Sequence, residues 1–321
     1  MTRAGKATAS GTSFSTFMGL PYCPELAQLQ AAAVILGVPV ATPYPGSGLF
    51  AAGAPAALRA GIASYSGHLG HYDFEIGGSL QEEAYGAVVD AGDLAASAAD
   101  FAANREAISG AVRSILERGA APLVLGGDDS VPIPVLQAYE GRGPVTILQI
   151  DAHIDWRDEV NGERYGLSSN MRRAAAMPWV ENIIQVGMRA VGSARRREYQ
   201  EALDWGAHII TARQLHRAGI EPVLELIPAD SAVYVAFDCD SLDSSIMPAV
   251  LAPTPGGLLY WDLIDLLQGA ADKAELCGFS LVEFAPEKDR DGNAALTAAR
   301  IVFNAAALLA KKSRGASGSP G

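Results

Sequence analysis

The chain of 321 residues carries 24 Lys+Arg against 36 Asp+Glu, a formal charge of −12, and 49% of it is hydrophobic. That composition excludes a disordered chain. The acidity excludes a general polyanion binder: no basic stripe exists to neutralise phosphates, so neither nucleic acid nor a membrane surface is an expected partner. Cationic ligands and metal ions suit it better.

Residues 1–13 are small and polar and read as a flexible tail, as do 312–321, leaving a single domain over 14–311. The start lacks the apolar stretch of a signal peptide. No window is read as reaching the roughly 18 apolar residues that span a bilayer. Three scattered cysteines, Cys23, Cys239 and Cys277, are too few for a disulfide framework, so the expected location is the reducing cytoplasm. Strand-length apolar runs fall at 33–36, 122–125, 145–150, 183–186, 233–237 and 278–282. Between them, 101–118, 261–270 and 295–309 show helical spacing; in the first, Ile108, Val112 and Ile115 share a face and Gly119 supplies a stop. Runs apolar on both faces are the mark of buried parallel strands. The alternation predicts one α/β domain with a mostly parallel sheet, and in such sheets ligands bind beyond the carboxyl ends of the strands.

Acidic residues stand at those ends. Gly126-Gly127-Asp128-Asp129-Ser130 follows one run, Asp151-Ala152-His153-Ile154-Asp155 the next, then Asp238-Cys239-Asp240, then Glu283. In extended backbone, positions i, i+2 and i+4 point to one side, so Asp151, His153 and Asp155 converge, and Asp238 and Asp240 repeat the geometry. Cys239 then points the other way, as a small buried hydrophobe. A lone Asp-x-Asp is usually a cap or a solvated loop. Several such clusters at one rim repel strongly unless they are neutralised, and a pair of divalent ions does this most simply. One His among oxygen ligands favours Mn²⁺, with Ni²⁺, Co²⁺ or Fe²⁺ behind it. Two bridged ions activate water, which points to hydrolysis. No Gly-x-Gly-x-x-Gly and no Gly-x-Ser-x-Gly stands where a nucleotide fold or a serine hydrolase would need it.

These pieces resemble the arginase/agmatinase (ureohydrolase) family. GGDDS at 126–130, DAHID at 151–155, DCDSLD at 238–243, PTPGGL at 253–258, Glu283 within LVEFAP and Thr297-Ala298 occur in its order, and FMGLP at 17–21 is similar to the opening of its agmatinase-like branch. The resemblance implies a three-layer α/β/α sandwich, a binuclear Mn²⁺ centre, guanidinium hydrolysis to an amine and urea, and a homotrimer or hexamer. It implies that Asp151 and Asp238 bridge the ions, that His153 and Asp240 complete one, and that Asp155 and Asp129 hold the other. Glu283 would grip a small cationic guanidine. Glu283 and Asp155 are thus the catalytic candidates, and Ser168 and Asn170 are further substrate contacts.

The chain departs from the family's pattern at four places. Asp129 stands where a His is usual. The segment 165–170, where the family carries a proton-shuttling His, has none. The loop after Asp243 reads Ser244-Ser245-Ile246-Met247-Pro248, and the loop at 44–50 on the substrate-entry side lacks its usual Arg. The expected substrate is a substituted guanidine, agmatine- or guanidino-acid-like in chemistry but less polar than standard arginine or agmatine, with a biguanide such as metformin behind it within the same chemistry. The competing reading is a non-catalytic subunit paired with an active paralogue. Arg172 and Arg173 read as a surface pair or a subunit contact.

Overall fold

A computed structural model describes residues 7–9, 12–40, 42–44, 49–229 and 231–316. The strands are β1 (Ala7–Ala9), β2 (Thr12–Phe14), β3 (Ala33–Gly37), β4 (Val88–Asp93), β5 (Ala121–Leu125), β6 (Val145–Ile150), β7 (Val180–Met188), β8 (His208–Thr211), β9 (Ala232–Asp238) and β10 (Glu275–Val282). The first two pair antiparallel, from within the stretch expected to be a tail up to Phe14 just past its boundary. The other eight form one sheet, in the order β4-β3-β5-β10-β9-β6-β7-β8. Every pairing in that sheet is parallel.

The six inner strands of the sheet bury both faces over most of their length. Along β3, Ala33 and Ile35 join one apolar cluster, and Val34 and Leu36 join the cluster on the opposite face. Helices cover both sides, which makes the three-layer α/β/α sandwich. All six expected strands are present. The two additional ones, β4 and β8, are the sheet's edges. Val88–Asp93 carries Asp90, Gly92 and Asp93, and Val88, Val89, Asp90 and Ala91 are its only positions before the glycine. His208–Thr211 is half-buried or exposed throughout. Edge strands need no two-sided apolar run, so composition did not flag them.

The expected helices appear as Phe101–Glu117, Tyr260–Lys273 and Asn293–Ala316. The last continues five residues past the boundary at 311. It also corrects the reading of apolar windows: Asn293–Lys311 is long and apolar enough to cross a membrane by composition, with mean hydropathy 1.4. That stretch is 72% buried, and Ala298, Ala299, Ile301, Val302 and Leu309 belong to the apolar core. Arg300 pairs with Asp73 at 2.7 Å, and Asn304 donates to Glu75 at 2.6 Å. The helix is a core element of the sandwich.

Four neighbouring strands at the middle of the sheet, β5, β10, β9 and β6, deliver the chemistry-bearing turns to one rim. The turn after β5 lies so close to its neighbour that a Cβ on Gly127 would stand 1.8 Å from the Val40 carbonyl oxygen, so only glycine fits there.

Candidate metal centre

Asp151 leaves β6 and at once accepts the His153 amide on Oδ1 at 2.6 Å. Asp238 repeats the turn at the end of β9, accepting the Asp240 amide on Oδ1 at 2.6 Å. Neither segment is extended as the alternating spacing assumed: 151–153 bend and Cys239–Ser241 is a 3-10 helix, yet the first and third side chains of each still reach the same cluster. The strands then interlock: Asp240 Oδ1 accepts the Ala152 amide at 3.2 Å, and Asp240 Oδ2 lies 3.1 Å from His153 Nδ1. Two overlapping triads result, Asp151–His153–Asp240 and Asp129–Asp151–Asp238, with the ligand atoms of each within 4.8 Å of one another.

Asp155 stands beside the second triad. Gln149 Nε2 donates both to it and to Asp151, at 2.9 and 2.7 Å from their Oδ2 atoms. All six expected ligands therefore gather at one place. Asp151 alone belongs to both triads; Asp238, expected to bridge as well, falls in the second only. Glu283 closes the site from β10, with Oε1 accepting the Asp129 amide at 2.9 Å. Asp155 and Glu283 both hold left-handed backbone, at φ +45° and +65°. Strain of that kind survives only where surrounding contacts impose it.

All of these carboxylates are at most 5% exposed. Burial pushes Asp129 well above the usual carboxylate range, and the charges of Asp155 and Asp151 add to it. Asp155, Asp238, Asp240 and Glu283 rise for the same reasons, burial first and neighbouring carboxylates second. Burial also raises Asp151, but the bonds from His153 outweigh it and hold Asp151 low. His153, lowered by burial, is pushed up to about 12 by Asp151 and Asp240. This is a site built to be neutralised by cations. Five Asp and one His fit two divalent ions in ligand type and spacing: oxygen donors suit Mn²⁺ and one imidazole is compatible with it or with Ni²⁺.

Linkage gives the sign of the metal-free protein's pH dependence. Asp128 rises to about 6 through burial, and the other raised carboxyls shift the same way. Groups raised in the fold stabilise it fully below their unfolded values near 4, and that stabilisation is lost as pH rises through the folded values. Chelated protein should therefore lose thermal stability between about pH 4 and pH 7, and excess Mn²⁺ should reverse the loss. A midpoint that rises over this range without metal would contradict the charge balance described here.

Ser168 and Asn170, expected at the substrate, are buried and partly engaged. The Asn170 amide donates to the Asp129 carboxylate and, at 3.1 Å, to the Asp129 carbonyl. The Ser168 amide donates to the Tyr44 hydroxyl at 2.8 Å. Tyr44 is a site neighbour that sequence reasoning did not single out. Its ring packs so tightly on Gly166 that a Cβ there would meet it at 2.2 Å, and burial pushes its hydroxyl up, with Asp155 adding to the rise. Residues 45–48 of the same loop lie outside the described residues.

The variant loop after Asp243 is firmly tied. Asp243 Oδ2 accepts the Gly256 and Gly257 amides at 2.7 and 3.1 Å, and bonds from Ser245 lower its pKa to about 2. Arg189, also missed from sequence, donates to the carbonyls of Asp240, Ser241, Leu242 and Thr254. Among the described residues the remaining histidines make no bond to the cluster: His68 and His71, their rings 4.7 Å apart and tilted by 50°, lie beside a cavity of about 340 Å³ with Arg300, His208 sits on β8, and His216 lies 3.4 Å from Asp262. Arg172 pairs with Glu201 at 3.0 Å, and Arg173 pairs with Asp158.

A parallel α/β sandwich with an acidic cluster at the ends of its central strands defines a class of protein whose site is suited to divalent metal ions. The chain belongs to the arginase family, whose model, "Arginase family", matches residues 31–308. It is 36% identical over 196 residues to the mitochondrial arginase of Medicago truncatula, covering 59% of this chain and 56% of that protein. It is 35% identical over 195 residues to the N(1)-aminopropylagmatine ureohydrolase of Thermus thermophilus, covering 60% and 64%. These matches span less than two thirds of the relatives' own lengths. The structure superposes on proclavaminate amidino hydrolase from Streptomyces clavuligerus with a TM-score of 0.79 at 25% identity, covering 95% of this chain and 99% of that one.

Proposed function

We propose that the protein is a metal-dependent amidinohydrolase that cleaves a guanidinium C–N bond of a substituted guanidine and releases an amine and urea or a urea derivative. The observation that carries this reading is the buried cluster of Asp129, Asp151, His153, Asp155, Asp238 and Asp240 facing Glu283. Two divalent ions held there, Mn²⁺ or Ni²⁺, would supply polarisation of water for attack. Glu283 meets the planar guanidinium with charge-assisted hydrogen bonds. Its buried position excludes water from that pairing and makes each bond stronger. The Asn170 amide fixes Asp129, so its role shifts from touching substrate to holding a ligand. Water oxygen bonds to the guanidinium carbon, the C–N bond breaks, and the two protons that the water gives up pass to the leaving nitrogen, so that an ammonium and a neutral urea result.

Membership of a family that includes a ureohydrolase and an amidino hydrolase supports this chemistry. The loop after Tyr44 lacks an Arg, which favours a substrate tail without a carboxylate, a biguanide included. We place the protein in the cytoplasm as a homotrimer or hexamer. The second reading, a non-catalytic partner of an active paralogue, rests on Asp129 in place of a His and on the absence of any His between His153 and His208.

The deciding experiment is elemental analysis of protein expressed with Mn²⁺ or Ni²⁺, followed by urea release from a panel of guanidines. About two ions per chain with turnover by the pure homo-oligomer supports the hydrolase. Turnover that appears only with a co-purifying paralogue supports the partner reading.

A further inference from the structure

Pairing of β6 with β7 sets Gln149 directly opposite Gln185. Both amides are buried, at 1% and 0% exposure, with apolar residues on either side of each along its strand. On its other side Gln149 faces Ala236 of β9, which leaves room for the longer side chain. Gln149 Nε2 donates to Oδ2 of both Asp151 and Asp155. A carbonyl oxygen at that spot would face two carboxylates, so the amide has one orientation only, with Oε1 turned towards Gln185. There Gln185 Nε2 donates to Gln149 Oε1 and, at 2.8 Å, to the Ile154 carbonyl. Ile154 precedes Asp155, whose φ is +45°. The two glutamines thus hold Asp155 twice, through its side chain and through the peptide that leads into its strained backbone. They do so without charge: a Lys or Arg in this place would form an ion pair with Asp151 and Asp155 and compete with a metal for them.

We propose that Gln149, aimed by Gln185, is the positioning residue that presents Asp151 and Asp155 to a divalent metal pair. The proposal rests on reading the cluster as a metal centre. Partners in the shell behind metal ligands orient them, and removing one typically lowers metal affinity about 10–100-fold.

The test is Mn²⁺ titration by calorimetry, with elemental analysis, on the full-length wild type, Gln149→Met and Gln185→Met, each first stripped by chelation. Met keeps the length and flexibility of Gln and removes the donor. Expected are two ions per wild-type chain and one of the two affinities weakened about 10–100-fold in Gln149→Met, with thermal unfolding of the stripped proteins little changed. Wild-type affinity for both ions in a folded Gln149→Met overturns the proposal, as does a fall in stripped-protein stability without any change in affinity. Should Gln149→Met fail to fold, Gln185→Met carries the test, with about a tenfold loss expected and wild-type affinity overturning it. A wild type that binds no Mn²⁺ overturns the metal-centre reading itself, and this proposal with it. Two ions bound without turnover of any guanidine would sink the proposed activity alone.

Discussion

Asp240→Ala protein is expected to purify folded, to carry about one divalent ion per chain or fewer, and to release urea at least about a thousand-fold more slowly than wild type. Losing a ligand forfeits several kcal/mol of transition-state stabilisation, and each 1.4 kcal/mol is roughly a factor of ten. Asp240 is 5% exposed and ties the two acidic turns together through the Ala152 amide and the His153 ring. The fold should nonetheless survive, because burial and Asp151 both raise this carboxyl and removing it relieves repulsion in the metal-free state. Stripped Asp240→Ala is therefore expected to melt at or above the temperature of stripped wild type. Unchanged metal content would remove Asp240 from the ligand set.

Glu283→Gln separates substrate binding from metal binding. If Glu283 grips the guanidinium, the variant keeps both ions while kcat/KM falls about 10²–10⁴-fold, the size expected when one partner of a buried charge pair is lost at about 3–5 kcal/mol. The shape is preserved, and Gln Oε1 can still accept the Asp129 amide that now bonds Glu283 at 2.9 Å. The experiment is paired elemental analysis and steady-state kinetics on the same preparation. Loss of metal from Glu283→Gln would assign that carboxylate to the ions, and intact kinetics would leave the guanidinium without its proposed partner.

Much of the candidate site was legible before any coordinates, because its residues obey local rules. Asp151, His153 and Asp155 announce themselves by spacing at the end of an apolar run, Asp238 and Asp240 do the same, and Glu283 follows the last strand. Each stands within a few positions of a strand end, so a one-dimensional pattern finds it, although the backbone there turns instead of staying extended. Gln149 and Gln185 carried a weaker signal, a buried amide between apolar neighbours in each strand, which is costly unless bonded. The pairing of the two across 36 residues is set by the order of the strands.

Sequence alone determined the parallel α/β class, the six two-sided strands, the acidic rim and the family, since each depends on burial pattern or ordered motifs within a few residues. Tertiary structure decided the rest. It decided that β5, β10, β9 and β6 are neighbours, so that Asp129, Glu283, Asp238 and Asp151 meet. It turned Asn170 onto Asp129 across 41 residues and set Tyr44 against Ser168 across 124. It added the edge strands, and it buried the long apolar final helix in the core rather than leaving its apolar face free. The physical reason is common to all of these: strand order, long-range hydrogen bonds and the burial of an apolar face are settled by which segments pack together, and that is a property of the whole fold.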